Sequence, residues 1–338
     1  MTRLFKWCPL QPPSLYPKSL TSVANRFALA AALTAAGMML FGLEQGFGLY
    51  LPLILSVFLF GLPHGAIDHL VMIGLARRQM RLTALAGACL IYLIPVVLFL
   101  ILWFLSPLAG LVLFLGITIY HWGKADLAFE SILRPATQQA PRVPRFLSFS
   151  HLLLRGFLPI GTPFLAFPGA TEAFITACTS SFGYDFTLPG AVRLGLLLCL
   201  SALLLSEYFY LKTCGPQRRQ LLAEDAGLLI FFILVPPLLA IGLYFCLWHG
   251  LRHVLRLIHY RSTPDETEPE QLVEGLKRFY IRALPFTLAS LLILLVVLLF
   301  LPEVSRGEQL IGLYLVVISS LTLPHLIVVE WMDARERI

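Results

Sequence analysis

The feature that most constrains this chain is a set of long apolar runs almost free of charge. Residues 96–105 and 289–301 carry no charged side chain, and 190–205 carries only Arg193. About 20 apolar residues in a helix cross the hydrocarbon core of a bilayer. Only 13% of the 338 residues are charged, against about 25% in soluble domains. The chain therefore reads as one integral membrane domain, 1–338, an all-α polytopic transmembrane helical bundle. Residues 1–26 form a polar N-terminal tail and 261–280 a polar loop.

Hydropathy places spans near 27–43, 49–76, 82–105, 108–129, 146–168, 190–211, 219–236, 237–260, 281–301 and 308–333. That is about ten crossings, with nine or eight as fallbacks. The division of 219–260 rests on Pro236-Pro237, because proline removes a backbone donor and clashes with the preceding turn. The basic residues cluster in short loops: Arg77, Arg78 and Arg81; Arg142 and Arg145; Arg218 and Arg219. Such clusters mark the cytoplasmic side. They predict a multi-pass protein of the cell (inner) membrane with both termini cytoplasmic. The net charge of +6 thus implies no nucleic-acid partner. The six cysteines are scattered without a CxxC pair, so neither a zinc ribbon nor a disulfide framework is expected.

Ionisable groups inside a bilayer are rare and mark functional sites. Eight histidines occur: His64, His69, His121, His151, His249, His253, His259 and His325. His64, His121 and His249 lie 15, 13 and 12 residues beyond positions 49, 108 and 237. At 1.5 Å per residue these are depths of roughly 18–23 Å. His253 follows His249 by one turn and shares its face. Four converging imidazoles suit iron, copper, zinc or nickel. Asp68, four residues after His64, is the expected carboxylate partner of that histidine. His69 ranks lower, and His325 either lines the same cavity or bonds across helices. Asp126 is expected to pair with Lys124, and His151 and His259 to sit near the membrane interface.

His249 to His253 reads HGLRH. It lacks the glutamate that a zincin places directly after its first histidine. Neither a P-loop nor a dinucleotide fingerprint is present. Tyr120, Trp122 and Trp248 flank histidines and are the expected cavity aromatics. An apolar cavity beside an all-histidine site suggests oxidation of an apolar substrate by O2 at Fe2+.

At these residues the sequence resembles the Brp/Blh family, the bacterial membrane-bound beta-carotene 15,15'-dioxygenases. The resemblance is carried by GLPHGAIDH (61–69), YHWGKAD (120–126), YFCLWHGLRH (244–253) and LPHLIVVEWMD (323–333). It implies a non-haem iron enzyme that cleaves beta-carotene centrally with O2 into two all-trans-retinal, with a functional link to a rhodopsin. It also implies His64, His121, His249 and His253 as iron ligands. Gly250 stands where the family more usually has Ser, which alters a hydrogen bond near the pair. Three other classes remain open at this point. One is a transporter with a proton relay through Asp68, His64 and His121. A membrane haem protein is another. The third is a catalytically silent retinal-assembly protein of the same fold.

Overall fold

The computed structural model describes residues 18–42, 46–76, 81–133, 143–182, 184–215, 218–260, 269–299 and 307–336. Every regular element among them is helical. In chain order these are α1 (Lys18–Leu40), α2 (Leu51–Ser56), a π-helical turn at Val57–Gly61, α3 (Leu62–Ala66), α4 (Asp68–Leu75), α5 (Leu82–Leu105), α6 (Pro107–Leu133), α7 (Arg145–Ala166) and α8 (Pro168–Thr179). There follow α9 (Gly190–Thr213), α10 (Arg218–Leu234), α11 (Pro237–Tyr244), a second π turn at Phe245–Gly250, α12 (Leu251–Tyr260), α13 (Pro269–Leu299) and α14 (Gly307–Glu336).

Six of these segments are long and apolar enough to cross a membrane: Leu51–Leu75, Leu82–Leu105, Pro107–Ser131, Gly190–Thr213, Pro237–Ile258 and Gly312–Arg335. The expectation of ten is not met among the described residues. The expected first span lies in α1, where Ala28–Leu40 is a shorter apolar stretch among the described residues. The span at 146–168 ends where the chain bends by 108° between α7 and α8, and a seventh crossing results only if that pair counts as one. The stretch 169–189 between two expected spans thus contains a helix. The chain does break at Pro236, but α10 has only 17 residues. From Pro269 the expected polar loop runs on into the span expected at 281–301 as one continuous helix, α13, of 31 residues. Its first half carries Glu274, Lys277, Arg278 and Arg282. The side chain of His259 lies outside the described residues.

Glycines set the closest helix crossings, as small residues do when apolar lipid offers no competing drive for association. A Cβ on Gly123 of α6 would collide with the Leu152 carbonyl of α7, and one on Gly156 of α7 with the Ile119 carbonyl of α6. Gly242 meets the backbone of α2 at Leu53, and Gly312 of α14 meets Ala177 of α8 in the same way. Pro63 has no N–H to offer the Leu59 carbonyl, and Tyr280 of α13 donates to that carbonyl at 2.7 Å. Trp103 of α5 donates to Ser319 of α14 at 2.8 Å. These contacts hold α6 against α7, α11 against α2, α14 against α8 and α5, and α13 against the first π turn.

Candidate metal centre

The two π turns lie directly beside the histidines. Val57–Gly61 leads through Leu62-Pro63 into His64, and Phe245–Gly250 contains His249. π turns insert one extra residue into a helix and concentrate at functional sites. The two turns interlock through reciprocal glycine–phenylalanine contacts. A Cβ on Gly61 would lie 2.9 Å from the Phe245 ring, and one on Gly250 would lie 2.7 Å from Cβ of Phe60. There is accordingly no room for a serine side chain at 250.

Five imidazoles meet where these turns, α6, α12 and α14 converge. His64, His121, His249, His253 and His325 are each at most 7% exposed. Eight of their ten ring-centre separations lie between 4.8 and 6.3 Å. The four histidines expected from depth and spacing are therefore brought together, and His325 joins them. Nδ1 of His64 donates to the Phe60 carbonyl at 2.5 Å, which leaves Nε2 as its lone-pair atom. Both nitrogens of His249, both of His253, Nε2 of His121 and Nε2 of His325 have no hydrogen-bond partner among the described residues. A buried polar atom without a partner costs roughly 1–3 kcal/mol, so this many in one place calls for a ligand.

A metal fits that requirement. A metal–imidazole bond of about 2.1 Å, plus roughly 1.1 Å to the ring centre, limits two imidazoles on one ion to about 6.4 Å between centres. The eight separations satisfy this limit, but no three of the ring nitrogens lie within 4.8 Å of one another among the described residues, so the rings must turn or draw together to share one ion. The donor set is neutral imidazole with no carboxylate among it, which suits iron, copper, zinc or nickel.

His64, His121, His249 and His325 open onto an apolar cavity of about 530 Å³, within the range of sites that enclose organic ligands. Phe114, Phe164, Phe174, Phe245 and Ile318 contribute to its walls. Of the three aromatics expected there, Trp122 lines the cavity and Tyr120 and Trp248 do not. Tyr120 instead donates to Glu330 at 3.0 Å, and the indole N–H of Trp248 donates to Asp126 at 2.9 Å.

The beta-carotene 15,15'-dioxygenase family model matches residues 55–333. The chain belongs to this family. A probable beta-carotene 15,15'-dioxygenase Blh of Halobacterium salinarum is 32% identical over 84% of each chain. A beta-carotene 15,15'-dioxygenase from uncultured marine bacterium 66A03 is 26% identical over 83% of this chain and 92% of its own. A probable beta-carotene 15,15'-dioxygenase Brp of H. salinarum is 26% identical over 95% of each. No solved structure matches. All five clustered histidines fall within the segment matched by the dioxygenase family.

Several expectations about neighbouring polar residues change. Asp68 bonds Nδ1 of His325 at 2.8 Å rather than His64. The helix is interrupted at Ile67 (φ −95°, ψ 0°), so four residues no longer return to the same face. His69 packs on Phe286 with ring centres 4.1 Å apart, outside the group of five. Lys124 pairs with Glu330 and Asp333, not Asp126. Asp126 instead receives Trp248, Arg252 and Arg155.

His151 is fully buried, with Nδ1 at 2.7 Å from Glu207 and Nε2 at 3.1 Å from Glu130. With Asp225 and Glu207 it forms the one group of metal-capable atoms within 4.8 Å of one another among the described residues, tighter than the histidine cluster. Its nitrogens are already taken by carboxylates, however, and Arg155 lies 2.8 Å from Asp225. That makes it an ion-pair network holding α6, α7, α9 and α10 together.

Proposed function

We propose that this protein cleaves beta-carotene at its central 15,15' double bond with O2, giving two molecules of all-trans-retinal, at an Fe2+ held by His64, His121, His249 and His253. The observation that carries this reading is a set of buried imidazole nitrogens without partners at the wall of an apolar cavity. Family membership and the names of the relatives support the substrate. The balance is simple: one C=C bond and one O2 become two C=O groups. Bound iron would supply the one-electron chemistry that O2 requires.

The chain's own residues do the rest. The Phe60 carbonyl fixes the His64 tautomer, and such outer partners orient a ligand and raise its basicity. Trp122, Phe174 and Phe245 give the cavity an apolar shape that orients a polyene and keeps water from the reacting bond. A bilayer supplies both apolar substrates. We place both termini at the cytoplasmic face of the cell membrane on the argument from basic loops, and a rhodopsin is the expected consumer of the product.

The test is expression in carotene-producing bacteria, following loss of yellow colour and appearance of retinal. Wild type is expected to bleach the cells. Single replacement of His64, His121, His249 or His253 by Ala is expected to lower bound iron and abolish retinal. Iron-loaded, folded protein that neither bleaches the cells nor forms retinal would sink the reading.

A further inference from the structure

We propose that His325 is a fifth protein ligand to the metal, held in place by Asp68 and Tyr92. This inference rests on the iron-site reading above and extends its ligand set.

His325 lies close beside three of the other rings. Its centre is 4.8 Å from His64, 5.0 Å from His121 and 5.2 Å from His253. Each of these is the shortest separation recorded for the partner histidine within the five. The ring is 4% exposed, and its Nε2 has no hydrogen-bond partner among the described residues.

The other face of the ring determines what Nε2 can do. Nδ1 lies 2.8 Å from Oδ2 of Asp68. An ionised carboxylate only accepts, so Nδ1 carries the proton and Nε2 presents its lone pair to the cluster. The Tyr92 hydroxyl donates to the same Oδ2 at 3.0 Å. Two donors from α5 and α14 thereby pin one carboxylate oxygen of α4. A carboxylate behind an imidazole is the arrangement that fixes ligand orientation in metal sites. A purely structural His325 would need only the Asp68 bond. It would not need its second nitrogen buried, without a partner, among four other imidazoles.

The sequence holds a matching hint. Leu62-Pro63-His64 recurs as Leu323-Pro324-His325. Both histidines follow a proline inside a membrane-crossing helix, and each has Nδ1 committed to an oxygen, with Nε2 left over.

The experiment uses the full chain purified in detergent, with iron per chain, the rate of iron release to a chelator, and X-ray absorption at the iron edge as readouts. His325→Ala is expected to bind iron at least tenfold more weakly and to lose one imidazole from the absorption spectrum. Asp68→Ala, which keeps the histidine, is expected to weaken iron binding by about 10–100-fold, the usual effect of removing an outer partner. His325→Gly is expected to regain iron when free imidazole is added. Wild-type iron affinity in both His325→Ala and Asp68→Ala, with an unchanged imidazole count, overturns the proposal. Should His325→Ala fail to fold, unaltered iron affinity in Asp68→Ala alone overturns it. Absence of iron from the wild-type chain would instead overturn the iron-site reading, so the two failures are distinct.

Discussion

Gly250→Ala tests whether the two interlocked π turns set the geometry of the histidine cluster. The added methyl would lie 2.6 Å from the Phe245 carbonyl oxygen and 2.7 Å from Cβ of Phe60. Carbon atoms rest at about 3.5–4.0 Å, so the Phe60 backbone must retreat by about 0.8 Å. Neither obstacle is the free end of a flexible side chain. Overpacking of this kind costs about 1–3 kcal/mol, and the better helix propensity of alanine returns up to about 1 kcal/mol. The net loss is up to about 2 kcal/mol, a fall of a few degrees in Tm.

The functional effect should exceed the thermal one. Phe60 supplies the carbonyl that orients His64, and Gly250 adjoins His249. A misplacement near 1 Å can cost on the order of 100-fold in rate. Gly116→Ala is the control. It lies on the helix that carries His121, with nothing within 4 Å of the new methyl, and should match or exceed wild-type stability. Thermal unfolding in detergent, bound iron and retinal yield are the assays. A Gly250→Ala protein that melts, loads iron and forms retinal like wild type refutes the reasoning.

Two further predictions concern other parts of the molecule. Arg155 is fully buried against Asp225, Glu224, Glu130 and Asp126, and Arg155→Met removes the guanidinium beside Asp225 and one of the partners of the other three, at about 3–5 kcal/mol. Its signature is a large drop in Tm or loss of folded protein, and a Tm within a degree of wild type would contradict the ion-pair reading. Thr118 lines the cavity one turn before His121. Thr118→Phe should lower retinal formation severalfold while iron per chain holds, and equal turnover at equal iron would show that substrate does not use that part of the cavity.

Much of the site was legible because it obeys local rules. His249 and His253 share a face through helix periodicity alone, and their rings lie nearly parallel, 8° apart. Depth counting brought His64 and His121 to the same level without any knowledge of helix neighbours. The same rule failed for Asp68, because Ile67 interrupts the helix and sends the carboxylate toward a histidine 257 residues away. Tyr92 was missed altogether. A single hydroxyl within an apolar run carries no spacing signal, and only its contact with Asp68 reveals its role. Trp248 was misplaced because adjacency to a histidine in sequence means a rotation of about 100° around the helix.

By itself the sequence determined that this chain is a helical membrane bundle carrying histidines at shared depth. Hydropathy and helical period are local properties that any fold must respect. Tertiary structure alone decided the rest: six segments long and apolar enough to cross a membrane among the described residues, and a fifth imidazole within the cluster. It also decided that His151 sits in a buried ion-pair network. Each of these outcomes depends on which helices touch and where a helix bends. Those features are set by packing of glycines and prolines across distant segments, which no local pattern encodes.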